Sequence, residues 1–375
     1  MRLVYIANAK MPHNRARSIQ IAKMSEAYNR NLDTTLIAPL KLDSSREKTY
    51  NSYGIESRFK IKYAPSIDLV FLNLGILPFY LQSVSFSFLA VLSSLFMKKD
   101  YYYTRDIFTS FFLCLLRPIH RAKVFYECHN EPTKFEKPIT SWTFKRLNGV
   151  AFVNENVKAN YLHFNKKHVM APDGVDVDQF SINVDKDELK KKLNLENKKI
   201  VLYSGHFYKW KGIYTLLDST KYWPDNLALC ILGGTPEDTA RVKEYIEANK
   251  ISNATFLGYV DYTEVPEYVA SADILVLPNS SRDKFSHSYT SPLKLFEYMA
   301  SGNPVVASNL PSIRQVLNEN NAVLVAPDDP IALAEGIKKA VKKETAKLAS
   351  KAKEDVLAYS WTERAGRVLK LMAES

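Results

Sequence analysis

YTSPLKLFEYMASGNPVVAS, residues 289–308, puts a Thr-Ser-Pro turn, a lysine and a single glutamate into one short helix, then stops it with Gly302-Asn303-Pro304 and runs into Val-Val-Ala-Ser. Pro292 suits the first helical turn, where its missing N–H costs nothing, and Ser291 suits the cap. Gly302 ends the helix and Pro304 forbids its continuation. This layout makes a helix N-terminus beside a strand, where α/β proteins hold anions. The N–H groups of Thr290 to Leu293 and the positive end of the helix dipole would face such an anion, and a diphosphate fits the description. Glu297 stands four residues beyond Leu293, on the same helix face one turn deeper. A carboxylate there can accept two hydroxyl groups, as a ribose offers; spacing alone leaves a solvated helix residue equally open.

Working outward, short apolar runs alternate with helical segments along the whole chain. RLVYIAN, TTLIAP, YYYTRD, AKVFYECHN and GVAFVNEN occupy the first half, and KIVLYSG, LALCILGG, ATFLGYV, DILVLPNS, NPVVASN and AVLVAP the second. Strands spaced by helices imply parallel sheets with helices on both faces. At 375 residues the chain suits two domains. The joint falls near HVMAPDGVDVDQF, residues 168–180, ahead of a Lys-rich stretch. The fold expected is α/β, two Rossmann-like domains with ligand in a cleft at the carboxyl ends of the strands. The expected division is 1–172, 173–356, and a C-terminal segment 357–375 packing back on the first domain.

The bulk numbers narrow the function. A 46% hydrophobic and 24% charged composition is that of a soluble globular protein with a large core. Cys114, Cys128 and Cys230 are isolated, which fits a reducing compartment and offers no metal site. Residues 1–180 hold 25 of the 51 basic residues but 15 of the 40 acidic ones, so nearly all of the +11 net charge lies there. Such a half suits a polyanionic partner, and an anionic membrane surface or glycan is preferred over nucleic acid, for which no module is present. Ile76 to Met97 is uncharged and long enough to span a bilayer, but Pro78, Gln82 and five serines point instead to a buried helix or a membrane-facing surface. No G-x-G-x-x-G follows the first strand, which argues against a nicotinamide-dependent oxidoreductase.

Two further stretches bear on an anion site. YSGHFYKWKG ends a strand with Ser204-Gly205, turns, and presents His206, Lys209 and Lys211 before Gly212 opens a helix. Glycine at a strand end lets backbone approach a ligand, and Lys211 is a compact charge suited to phosphate, with Lys209 solvated. In CILGGTPED, Gly233-Gly234 either passes close to a base or ribose or makes a tight turn.

These stretches, with APDGVDVDQF, FLGYVDYTEVPEYVASADILVLPNS, AVLVAPDDPIALAEGI and SWTERAGRVL, resemble the donor domain of glycosyltransferase family four, retaining enzymes of the GT-B fold. The resemblance runs from about residue 171 to the end. It implies that the turn at Gly205, His206 and Lys211 binds donor phosphates, with His206 standing where the family has arginine. It implies that Glu297 holds the nucleotide ribose, as the second of two glutamates separated by seven residues; the first falls on Tyr289. Thr290, Ser291, Pro292 and Leu293 keep the backbone role, and Gly234 lies on the donor side. The first half, through IANAKMPHNRARSIQIAKMSEA, YYYTRD and FYECHNEP, is similar to a subgroup of the same family marked by YTSPLKLFEYMA. There Arg15, Arg17 and Ser18 stand in the first loop on the acceptor side. His129 aligns with the histidine near the reacting sugar. Arg105 faces an acceptor or a phosphate, or else pairs with Asp106 or Glu127.

No Asp-X-Asp motif is placed to hold a metal, and Asp328-Asp329 before Pro330 reads as a helix cap. The expected chemistry is therefore metal-independent and cofactor-free. Lys211, helix N–H groups and His206 would neutralise the leaving diphosphate of a nucleotide sugar, with His129, Lys211 and Arg105 as catalytic candidates. The acceptor would be a glycan or a lipid-linked sugar, and the protein cytoplasmic and peripheral on the inner membrane face. The alternative is a non-catalytic relative that binds nucleotide sugar without transfer.

Overall fold

A computed structural model of the chain describes residues 1–69 and 75–375. These residues form two compact units: Met1–Pro172 with Trp361–Ser375, and Asp173–Ser360.

The first unit is built on a seven-stranded sheet: β1 Arg2–Ile6, β2 Asp33–Pro39, β3 Lys60–Ala64, β4 Tyr101–Thr104, β5 Lys123–Cys128, β6 Gly149–Phe152 and β7 His168–Met170. Its order is β3-β2-β1-β4-β5-β6-β7, every pair parallel. The central strands are buried apolar runs, with Leu3, Val4, Tyr5 and Ile6 all within 1% of full burial, as a sheet covered on both faces requires. The order doubles back at β1, so the carboxyl ends of β1 and β4 mark the topological switch point.

The chain returns to this unit through helix Trp361–Glu374. Trp361, Arg364, Ala365, Val368, Leu371 and Met372 repeat at helical spacing and are all buried, against helix Ala16–Asn29 and strands β6 and β7. A boundary at 357 falls a turn early. Val356–Tyr359 is a short 3₁₀ turn that stays with the second unit, because Val356 is buried and the Tyr359 ring sits 5.2 Å from Phe296.

The second unit holds a six-stranded parallel sheet: β8 Lys199–Ser204, β9 Leu227–Leu232, β10 Ala254–Gly258, β11 Ile274–Leu277, β12 Val305–Ser308 and β13 Val323–Val325. Its order is β10-β9-β8-β11-β12-β13, so the switch point lies between β8 and β11. Val201, Tyr203, Leu229, Ile231 and Val276 anchor one core under helices Ile213–Ser219 and Pro330–Ala340. Asp329 caps the latter helix through Ile331 N and Ala332 N.

Charge divides by unit. The first carries 28 of the 51 basic residues and 14 of the 40 acidic ones; the second holds the remaining 23 and 26. Helix Leu77–Ser94 lies in the first unit. Its polar residues turn inward: Gln82 bonds Asn8, Ser87 meets Thr109, and Ser94 meets Tyr102. Ile76, Leu77, Phe79, Leu81 and Phe88, with Phe96 beyond the helix end, are exposed. By length and composition this helix could cross a membrane, yet the face it packs on the protein carries Gln82, Ser83, Ser87 and Ser94 beside Phe86, Ala90 and Val91.

Candidate functional site

In the second unit the switch point gathers three segments. The first follows β8. Ser204 is held by the Tyr298 hydroxyl, which its backbone N–H donates to at 2.9 Å. Beyond Gly205 and His206 a 3₁₀ turn, Lys209–Lys211, leads to Gly212 at φ 73°. A Cβ at Gly212 would lie 1.7 Å from the Pro278 carbonyl oxygen, so only glycine lets this turn seat against the end of β11. Lys209 is exposed, while Lys211 is partly buried with its ammonium 5.2 Å from the Trp210 ring. His206 lies 5.3 Å from the Tyr208 ring, and its carbonyl accepts from the Tyr203 hydroxyl.

The second segment follows β11 and is sewn to the first. The Trp210 carbonyl accepts from Ser280 N and Ser286 Oγ. A π-helical turn, Phe285–Tyr289, then delivers Thr290 to the third segment, helix Leu293–Ser301. Such turns are rare and concentrate at functional sites. Pro292 proves to be the N-cap residue, extended at ψ 129°, and the helix begins at Leu293. Ser291 does not cap: its Oγ accepts from Asp173 N at 3.1 Å. The Thr290 N–H is spent on Phe285 O, and proline has none to offer. The amide donors of this turn are thus those of Ser291, Leu293 and Lys294, shifted one residue onward from the expected set, and no side chain caps them.

Glu297 is buried at 6% exposure, so the reading as a solvated helix residue is excluded. Burial pushes its carboxyl up to about 7, against the pull of the Tyr262 hydroxyl and the Lys294 and Lys211 ammonium groups. Burial lowers Lys211 to about 8, with Glu297 opposing. Lys294 carried no motif signal in the sequence, yet it is 6% exposed, and its ammonium sits 3.7 Å from the Tyr203 ring centroid. Burial first, then repulsion from Lys211, holds it well below the usual lysine range. A buried lysine, a buried carboxyl and the partly buried Lys211 are therefore coupled electrostatically at a helix N-terminus. Tyr289 is 9% exposed, with Lys284 over its ring. Gly234 packs on the protein itself: at φ 84°, a Cβ there would lie 2.3 Å from the Phe207 ring, which supports the tight-turn reading.

The first unit gathers its own cluster at the ends of β1, β4 and β5. Glu127, wholly buried, accepts from Tyr103 Oη at 2.6 Å, Gln20 Nε2 at 2.8 Å and His129 Nε2 at 2.5 Å, and pairs with Arg364 at 3.2 Å. Arg364, 1% exposed, also donates Nε to the Pro172 carbonyl at 2.8 Å. Burial opposes ionisation of Glu127, but Arg364, the His129 hydrogen bond and Arg105 outweigh it and hold the carboxyl well below its usual range. Burial and Arg105 lower His129 to about 4, with Glu127 opposing in part. A neutral imidazole beside a carboxylate must carry its proton on Nε2, which leaves Nδ1 as the acceptor nitrogen. Arg105 bonds neither Asp106 nor Glu127 directly; it donates to Gln20 Oε1 at 2.5 Å. Arg17 pairs with Asp106 at 2.9 Å, and buried Ser18 donates to the Lys10 carbonyl, so both hold the first loop in place. Arg15 precedes helix Ala16–Asn29 and is exposed. Sequence reasoning missed Arg364, whose partner lies in β5 far along the chain; no local spacing announces such a pair.

Residues 185–356 match the protein family described as Glycosyl transferases group 1. That match covers most of the second unit. Among curated proteins, stretches of this chain are 28% identical over 222 residues to the D-inositol 3-phosphate glycosyltransferase of Xylanimonas cellulosilytica, covering 56% of this chain and 51% of that one. They are 32% identical over 180 residues to the phosphatidyl-myo-inositol mannosyltransferase of Mycobacterium tuberculosis, covering 45% and 43%. The chain thus spans about half the length of these relatives. Among solved structures, HepE of Anabaena in complex with UDP aligns over 100% of both chains, with a TM-score of 0.80 at 14% identity. The whole chain thus has a fold of the GT-B class, and the family match lies in its second unit.

Proposed function

We propose that the protein is a retaining, metal-independent glycosyltransferase of the subgroup marked by YTSPLKLFEYMA. It would move a sugar from a nucleotide-diphosphate sugar to a glycan or lipid-linked acceptor in cell-surface polysaccharide or glycolipid synthesis. The observation that carries this reading is the electrostatic coupling of Lys211 and the buried Glu297 beside the uncapped N-terminus of helix Leu293–Ser301, within the residues that match group 1 glycosyl transferases. Lys211 and the amides of Ser291 and Leu293 suit the diphosphate, and Glu297 suits the two ribose hydroxyls.

The chemistry follows from those charges. The bond between the sugar's anomeric carbon and the β-phosphate oxygen breaks, and Lys211 and the helix amides meet the negative charge that gathers on that oxygen. The acceptor hydroxyl attacks from the same face and gives its proton to the departing phosphate, so configuration is kept. His129, neutral and fixed by Glu127, offers Nδ1 as an acceptor to a sugar hydroxyl. Arg105, Arg15 and the loop tied down by Arg17 and Ser18 stand on the acceptor side.

For the partner, the first unit's basic excess and the exposed apolar side chains of Ile76–Phe88 favour the anionic inner face of a membrane. Protein that stays wholly soluble and ignores anionic vesicles at low salt would reject that part.

The test is transfer by purified protein from a panel of nucleotide sugars, alongside Lys211→Ala. We expect the variant to fold and to lose at least about a hundredfold in rate, the scale of removing one charge-stabilising donor. A second reading rests on Tyr289, which replaces a glutamate that touches the transferred sugar in family four, and on His206: binding of nucleotide sugar with neither transfer nor hydrolysis would favour the non-catalytic relative.

A further inference from the structure

The lysine of the opening stretch has three features that each work against the folded protein. Its ammonium is buried and, among the described residues, has no hydrogen-bond partner. It occupies the second position of helix Leu293–Ser301, where a cation opposes the helix dipole and no acidic residue stands in the first turn. It repels Lys211, and the carboxyl that shares the space, Glu297, is itself drawn toward its neutral form. The face of Tyr203 and a Glu297 carboxyl drawn toward its neutral form are what attract it, and both are weak recompense for lost water.

We infer that Lys294 is a second cation for the donor's diphosphate, buried in readiness for an anion that relieves all three penalties at once. This rests on the donor reading of the second unit and adds to it. Lys211 and the helix amides suit one phosphate; a second enclosed ammonium gives the site selectivity for a diphosphate over a monophosphate or a bare nucleoside. It also supplies positive charge in a turn where His206 provides no permanent one. A sequence cannot announce this, because a lysine at that spacing on a short helix reads as a solvated residue.

The experiment is calorimetric titration of the full chain and of Lys294→Met with UDP, GDP, ADP and their parent nucleosides, with melting temperatures of both proteins without ligand. Methionine keeps the length and the contact with Tyr203 and removes only the charge. We expect the diphosphate bound by the wild type to weaken about tenfold or more in the variant, with nucleoside affinity unchanged. The ligand-free variant should melt at the wild-type temperature or above it, because a charge held against the fold has been removed. Undiminished diphosphate affinity in the variant overturns the role of Lys294 and leaves the donor reading standing. A ligand-free melting temperature several degrees lower overturns it too, since Lys294 would then be holding the fold through Tyr203. A wild type that binds none of the diphosphates overturns the donor reading, and this inference with it.

Discussion

The two units bury charge in opposite ways. In the first, one carboxylate is surrounded: Glu127 has Arg364, Tyr103, Gln20 and His129 on its oxygens. In the second, two ammonium groups and one half-neutral carboxyl share a space in which Lys294 has no acceptor. A satisfied buried network fixes geometry; an unsatisfied one costs stability that a ligand of opposite charge can restore. On the function proposed, the contrast separates a cluster that positions groups from one that recognises a ligand.

The sharpest way to break the comparison is to leave Glu127 uncompensated. Arg364→Met removes the one full positive charge that pairs with a wholly buried carboxylate, and should destabilise the first unit by about 3–5 kcal/mol, the usual consequence of orphaning a buried charge. Urea unfolding followed by tryptophan fluorescence, which includes Trp361 in the same helix, reads this directly. A loss below about 1 kcal/mol would mean that the hydrogen bonds alone hold Glu127, and the two clusters would then differ less than the geometry says.

The same contrast governs what the sequence could show. Strands β1, β2, β4–β6 and β8–β13 are legible because each is a short apolar run bounded by polar or turn residues. β3 and β7 are not. Lys60–Ala64 alternates exposed lysines with buried Ile61 and Ala64 instead of forming an apolar run, and His168–Met170 is three residues long inside the stretch that reads as a joint. Lys211, Glu297 and the Pro292 turn stood out because strand ends, glycines and prolines punctuate them locally. Arg364 and Lys294 did not, because burial and partnership across long separations are properties of packing.

A smaller effect sharpens the comparison on the acid side. His129 has an ordinary value of 6.5 and is held at about 4 in the fold. Between those values the unfolded chain takes up a proton that the folded chain refuses, so stability falls as pH drops through that window, by about 3 kcal/mol at most, and this group costs nothing more below it. Glu127 works in the same sense at lower pH: its depressed carboxyl contributes stability above 4.5 that is lost as pH falls further. Urea midpoints measured from pH 7 to pH 4 should therefore decline, and His129→Gln should flatten the upper part of that decline. An unchanged slope in the variant would mean that His129 accepts its proton freely in the folded state.

The smallest effect lies in the second unit, where the charges titrate near neutrality. Glu297 at about 7 must ionise to accept two ribose hydroxyls, so donor affinity should rise with pH through 7. Lys211 at about 8 must stay protonated to meet phosphate, so affinity should fall as pH rises beyond 8. The expected profile is bell-shaped with its crest between the two values, each limb steepening toward about tenfold per pH unit. Titration with an intact nucleotide sugar isolates the protein's part, because its diphosphate does not change charge in this range. Glu297→Gln should weaken binding about tenfold at the crest, about 1.4 kcal/mol, and abolish the acid limb while leaving the alkaline one. A flat profile from pH 6 to pH 9 would show that the charges of the second cluster are settled before ligand arrives, as those of the first already are.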